Sequence, residues 1–206
     1  GRIENLHRRL WYDDAGHITQ MERQMTATNV ALSCNQYAWR TFLEREGDSW
    51  SDNEADALVE MAKIGFRSYE PLITSPDEIP ALATHLAQAG LTMPSVYVNS
   101  VLHDVDTVEA SIAEVLAIAD AVAIADAVAP LGTQIVVTNP TPIRWGGSEN
   151  KSDAELAVQA VALERLGAAL SGRGLILAYH IHEAEMRLGA RELHHMLLST
   201  EPDHVA

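Results

Sequence analysis

Leu175-Ile-Leu-Ala-Tyr-His-Ile-His-Glu-Ala-Glu185 is an apolar run that turns abruptly polar. Uninterrupted apolar residues followed by imidazoles and carboxylates read as a buried strand that carries its chemistry at its C-terminal end. Residues i and i+2 of a strand share a face, so Ala178, His180 and His182 point one way and Leu175, Leu177 and Tyr179 the other.

The same rhythm repeats upstream. Short apolar runs at 30–35, 66–70, 94–99 and 133–138 alternate with helix patterns at 51–63, 75–90, 107–129 and 153–170. A further helix is expected at 192–198. Ser51 or Asp52 caps the first helix, Ser75 and Pro76 open the second, and Gly65, Gly90 and Gly172 close three of them. Continuous apolar strands alternating with amphipathic helices predict an α/β fold with a parallel sheet.

Two architectures fit, a doubly wound open sheet and a (β/α)8 TIM-type barrel. The open sheet usually has a glycine-rich turn after strand one, and no G-x-G-x-x-G occurs here. Polar and aromatic residues instead gather after every strand: Tyr37 and Trp39, Glu70, Asn99 and His103, Asn139 and Trp145, His180 and His182. That favours the barrel, whose site is built at the C-terminal ends of its strands. A complete barrel has eight strands in about 250 residues. Five strands are legible here, and His204-Val205-Ala206 reads as the opening of a sixth. The expectation is an incomplete barrel of five to six βα units over 28–206, preceded by an extension over 1–27 that lies outside the core.

The chain has 206 residues, 14 Lys+Arg, 29 Asp+Glu and a net charge of −15. At 47% hydrophobic residues it has the composition of a folded domain. The negative charge opposes nucleic acid as a partner, because phosphate binding needs cations. No run approaches the roughly 18 apolar residues of a membrane span. Cys34 is the only cysteine, which rules out an intrachain disulfide and a cysteine-based zinc site. A cytoplasmic protein is the expectation.

One segment is repeated in tandem. Ala117-Ile-Ala-Asp-Ala-Val122 is followed by an identical Ala123-Ile-Ala-Asp-Ala-Val128. Six residues advance a helix by about 600°, which leaves the second copy turned by about 240° from the first. Either an alanine-rich helix tolerates that rotation, or the insertion is taken up by a bulge or looped-out turn.

Several residues carry possible chemistry. His180, with Glu183 and Glu185 close behind, suits a divalent metal, and His182 shares its face. In Thr138-Asn-Pro-Thr-Pro-Ile-Arg-Trp-Gly-Gly147, Asn139 both donates and accepts, Arg144 grips anions, and Trp145 can stack on the apolar face of a sugar. Glu70 ends strand two, and His103 follows strand three. The plainer alternative is hydrogen-bonded loop residues without metal or substrate. His194 and His195 are adjacent on a helix and read as structural. Cys34 reads as a packing residue.

Three of these segments resemble the xylose-isomerase-like sugar phosphate isomerase/epimerase family of TIM barrels: Gly65-Phe-Arg-Ser-Tyr-Glu70, Thr138-Asn-Pro-Thr-Pro-Ile-Arg-Trp-Gly146 and Ala178-Tyr-His-Ile-His-Glu-Ala-Glu185. The last is similar to the family's Y-H-N-H-[DE]-x-E pattern, with Ile181 in place of the usual Asn. The resemblance implies one divalent metal, Mn, Co, Mg or Zn, with His180 as the strand-five ligand. It makes His182 and Glu185 supporting or substrate-contacting, with Glu185 a candidate acid/base, beside the substrate contacts read from the residues themselves at Glu70, His103, Asn139, Arg144 and Trp145. The family's remaining ligands, Asp, His and Glu, sit on strands six to eight, and so do most of its proton-transferring carboxylates. The implied partner is a small sugar or polyol, and the implied reaction is isomerisation or epimerisation through an enediolate in the complete enzyme. This chain alone is then expected to be inactive. A lyase of the same fold, acting on an inosose or dehydroshikimate-type acid, and a non-catalytic partial barrel are the alternatives. An endonuclease-IV-like enzyme shares the fold, but the −15 charge opposes it. Open sheet edges would invite homo-oligomers.

Overall fold

The computed structural model of the chain describes residues 32–206. The extension expected over 1–27 lies outside the described residues. Five short strands, β1 (Ser33–Asn35), β2 (Ser68–Glu70), β3 (Ser95–Tyr97), β4 (Ile135–Thr138) and β5 (Ile176–Tyr179), alternate with helices. The helices are α1 (Gln36–Glu46), α2 (Trp50–Lys63), α3 (Ile79–Ala89), α4 (Val108–Asp126), α5 (Asp153–Ser171) and α6 (Glu183–Ser199). A 3-10 turn at Pro76–Glu78 leads into α3.

Every strand pair is parallel: β1 with β2, β3 with β4, and β4 with β5. Bridges from Ser68 to Thr92 and from Leu72 to Tyr97 carry the order from β2 to β3. A bridge from Leu177 to Val205 lays the opening of a sixth strand beside β5. Spatial order is therefore sequence order. A doubly wound sheet reverses its strand order partway along, whereas a βα barrel never does. The fold is an incomplete (β/α)8 barrel with five units and the start of a sixth.

Strand alternation separates the two faces. Cys34, Tyr69, Val96, Val136 and Leu177 lie in one continuous core with helix residues such as Leu58, Leu86, Val115 and Leu163. By the period of two, Asn35, Glu70, Tyr97 and Ala178 face the other way, into the barrel. Each fully buried leucine contributes about 1.5–3 kcal/mol relative to exposure. The sixth-strand segment also packs closely. A Cβ added at Gly167 of α5 would lie 2.5 Å from the carbonyl oxygen of His204.

Local structure departs from expectation in four places. The N-cap of α2 is Ser49, whose hydroxyl accepts from the Asp52 N–H at 3.3 Å, not Ser51 or Asp52. Trp50 then falls inside the helix, and its indole donates to Glu54. Helix α1 occupies residues for which the sequence pattern predicted no element. It begins because the Asn35 side chain caps it, accepting from the Tyr37 N–H at 2.8 Å. Tyr37 and Trp39 accordingly sit on α1, with Tyr37 75% exposed and Trp39 against the core. Helix α6 starts nine residues earlier than expected (183 against 192) and is broken at Arg187–Ala190, where Leu188, Gly189 and Ala190 are left-handed.

The tandem repeat is the fourth. Residues 117–126 run on in one unbroken helix with no looped-out turn; the helix ends at Asp126 rather than residue 129, so Ala127 and Val128 of the second copy fall in the turn that follows. The rotation shows directly in burial. Ile118 of the first copy is 2% exposed, and its counterpart Ile124 is 71% exposed. The two aspartates also diverge. Asp120 pairs with Arg173, while Asp126 accepts from the Leu131 and Gly132 N–H groups and closes the turn into β4.

Candidate functional site

The C-terminal ends of β2 to β5 bring together most of the residues singled out from the sequence. Glu70 ends β2 and is held from both sides. One carboxylate oxygen accepts from the Asn35 amide at 2.7 Å, the other from the Ser95 hydroxyl at 2.5 Å. Tyr97 ends β3, and its ring meets His180 edge-on with centroids 5.5 Å apart. The His180 and His182 rings are 4.6 Å apart, and Trp145 meets His182 edge-on at 5.1 Å. These four rings form a continuous aromatic row across the ends of β3 and β5.

Beneath the row lies a buried polar brace. Asn139 follows β4 and is fully buried. Its amide nitrogen donates to the His180 carbonyl at 2.7 Å and to Glu185 at 3.3 Å. The other Glu185 oxygen accepts from the His182 N–H at 2.6 Å. Glu185 is itself fully buried, so both its oxygens serve to hold the turn that carries the two imidazoles. The Asn139 side-chain oxygen has no hydrogen-bond partner. A buried orphan acceptor is costly, and this one lies within the proposed site.

The electrostatics follow from burial. The Tyr97 phenol is pushed up to about 12, first by burial and then by the Glu185 and Glu70 carboxylates. It is a neutral donor at physiological pH. Burial lowers the pKa of His180, neighbouring His182 adds to the effect, and Glu70 and Glu185 partly offset it. His180 therefore favours the neutral form, which is the form that binds metals.

Arg144 and His103 make none of these contacts. Arg144 is exposed and paired with Glu149 at 2.7 Å. Gly147 makes that pairing possible, since a Cβ there would lie 2.1 Å from the Glu149 carboxylate. The charged neighbours of His103 are Lys151, Glu155, Asp104 and Glu192. Its Nδ1 is buried and unpartnered, and burial, then Lys151, lowers its pKa.

Sequence reasoning missed Tyr97, Asn35 and Lys151. Period-two alternation from Ser95 was the available signal for Tyr97. Nothing local pointed to Lys151, a buried lysine that donates to Glu192 at 2.7 Å and to the Pro140 carbonyl at 3.2 Å. The loop bearing Trp145 is thus fastened at both ends, by Asn139 and by Lys151. For the metal that the family resemblance implies, the fit is incomplete. Among the described residues no group of three His, Cys, Asp or Glu side chains could hold an ion. Both nearby carboxylates, Glu70 and Glu185, are already engaged by protein donors.

No protein-family model and no curated protein sequence matches the chain. Solved structures do match. One is a xylose isomerase-like TIM barrel protein from Mycobacterium smegmatis in complex with magnesium, 20% identical, with a TM-score of 0.55 over 73% of this chain and 54% of that one. A second is a D-psicose 3-epimerase with D-tagatose from Clostridium cellulolyticum H10, 14% identical, TM-score 0.55, covering 74% and 56%. A third is an AP endonuclease, family 2, from Brucella melitensis, 17% identical, TM-score 0.53, covering 74% and 60%. The chain spans little more than half the length of these proteins. The likeness is one of fold, a TIM-type barrel, over part of each of these chains. No helix among the described residues is long and apolar enough to cross a membrane.

Proposed function

We propose that this chain supplies the strand-one-to-five part of the active site of a metal-dependent sugar isomerase or epimerase. The observation that carries the reading is the row Tyr97, His180, His182 and Trp145, braced by Asn139 and Glu185, at the C-terminal ends of the strands of a xylose isomerase-like barrel. A ring polyol has an apolar C–H face and a rim of hydroxyls. Trp145, 55% exposed, offers the first a flat surface. The neutral Tyr97 phenol and the Glu70 and Asn35 pair offer donors and acceptors to the second. A divalent ion at His180, with further donors from outside residues 32–206, would supply Lewis-acid polarisation of a substrate oxygen. The braced turn holds the His180 backbone in place for that role.

The epimerase among the matched structures favours ketohexoses as first substrates. The endonuclease shares only the fold, and a net charge of −15 opposes a phosphate backbone. The test is to incubate D-psicose or D-tagatose in heavy water with a protein that joins this chain to the rest of its barrel, with Mn²⁺ or Mg²⁺ added. The expected product has the carbon skeleton of its substrate and carries solvent deuterium at the inverted or isomerised carbon. Loss of water from a polyol acid would identify the lyase instead. No turnover of any sugar with any divalent metal would leave the non-catalytic barrel.

A further inference from the structure

We propose that residues 186–189, an arch inside α6, form a lid that closes over the aromatic row, with the left-handed turn Leu188-Gly189-Ala190 as its strained hinge. The inference rests on the reading of the row as a sugar site and adds the element that covers it. Leu188 has φ 52° and ψ 41°, Gly189 has 71° and 38°, and Ala190 has 60° and 39°. Glycine adopts that region freely, but a side chain costs energy there, and left-handed residues normally occur singly. Among the described residues Leu188 and Ala190 are the only non-glycine residues with positive φ, and both fall in this one turn. Strained backbone of this kind persists where its surroundings hold it, and it gathers at ligand clamps and switches.

Both ends of the arch are anchored, and its middle is not. Before it, Glu185 is fully buried and accepts from the His182 N–H at 2.6 Å. After it, Ala190 and Glu192 are buried, and Arg191 donates to the Lys151 carbonyl at 2.8 Å. Between these anchors Met186 and Leu188 carry their apolar side chains in solvent. A Cβ added at Gly189 would meet nothing within 4 Å, so the arch has room to swing.

The arch stands beside the row it would cover. Arg187, its charged member, donates to Glu183 at 2.7 Å and to the Glu149 carbonyl at 3.4 Å. Glu149 pairs in turn with Arg144, the neighbour of Trp145. The arch and the Trp145 loop are therefore joined at their bases. Each presents exposed apolar side chains, Met186 and Leu188 on the arch, Ile143 and Trp145 on the loop. Folding them together takes that apolar surface out of water. A sugar held between them would be covered and shielded from solvent. Closure also lets Leu188 and Ala190 leave the left-handed region, so relief of strain favours the closed form. A hinge needs only a few residues that absorb the change in φ and ψ, and such motions run on the microsecond to millisecond timescale.

The test is nuclear magnetic resonance relaxation dispersion on the 206-residue chain, first alone and then with D-psicose or D-tagatose. The amides of residues 186–190 and the Trp145 indole should exchange at one common rate, and sugar should drive that exchange toward the minor form. This reads the claim in the unaltered chain, without relying on variants that fold. Ala190→Gly relieves the strain of the open form, so it should raise the melting temperature and weaken sugar binding by about fivefold. Leu188→Ala keeps the strained backbone and removes the cover, so it should weaken binding and leave the melting temperature unchanged. A turn with a merely structural role would gain stability in Ala190→Gly with sugar binding unaltered, and that result would overturn the inference. Residues 186–190 that show no exchange, or exchange at a rate unrelated to that of Trp145, would overturn it as well. Common exchange of the arch and Trp145 in the free chain, with no response to either sugar, would uphold the lid and sink the sugar reading alone. Sugar-induced shifts at Trp145, His180 and His182 with no change at 186–190 would sink the lid alone.

Discussion

The Lys151 ammonium lies 2.7 Å from the Glu192 carboxylate, with the lysine side chain 1% exposed and the glutamate 9%. Gln159 donates to the same carboxylate oxygen at 2.8 Å. This buried pair joins the foot of the Trp145 loop to α6, and Arg191 reinforces the joint by donating to the Lys151 carbonyl. Losing one partner of such a pair strands a charge without water. Lys151→Met is predicted to cost about 3–5 kcal/mol in urea unfolding, and Lys151→Met combined with Glu192→Leu to recover most of that. A single variant as stable as the unaltered chain would mean that the pair is not buried as described.

Gly167 offers a sharper packing test. Alanine in a helix interior ordinarily outranks glycine by about 1 kcal/mol. Here the new methyl would meet the His204 backbone, which is tethered by the β5 pairing and cannot easily retreat. Gly167→Ala is predicted to lose about 1–3 kcal/mol net, through overpacking. A rise in melting temperature would show that the sixth-strand segment is not docked against α5.

The tandem repeat contains its own control. Ile118 and Ile124 share identical flanking residues and differ only in what the helix turns them toward. Ile118→Ala is predicted to cost about 2–5 kcal/mol. Ile124→Ala should stay within about 0.5 kcal/mol. Equal losses in denaturant unfolding would contradict the rotation.

The strands, their order and the site-bearing ends of β2 to β5 were legible because each rests on local pattern. An apolar run bounded by turn residues says where a strand ends, and the barrel rule says what belongs there. Helix α1 was not legible. Gln36 is its only buried residue, so it shows no apolar stripe, and Asn35 caps it from inside what reads as strand. Gln36 itself accepts from Tyr69 and the Leu72 N–H, partners more than 30 residues away. Glu185 reads from sequence as a carboxylate at the mouth, yet it is enclosed because Asn139 and the His182 N–H occupy it. Lys151 was hidden for the same reason. A charged residue is expected in water, and only tertiary structure reveals that its counter-charge is buried with it.

The central claim is that a sugar lies against the row formed by Tyr97, His180, His182 and Trp145. Its most direct test is nuclear magnetic resonance of the chain during titration with D-psicose or D-tagatose, following the indole N–H signals of Trp145 and Trp50 and the ring signals of His180 and His182. The account predicts shifts at Trp145, His180 and His182, no shift at Trp50, and loss of the histidine shifts in Trp145→Ala. Shifts confined to residues away from the row, or histidine shifts of undiminished size in Trp145→Ala, would contradict it.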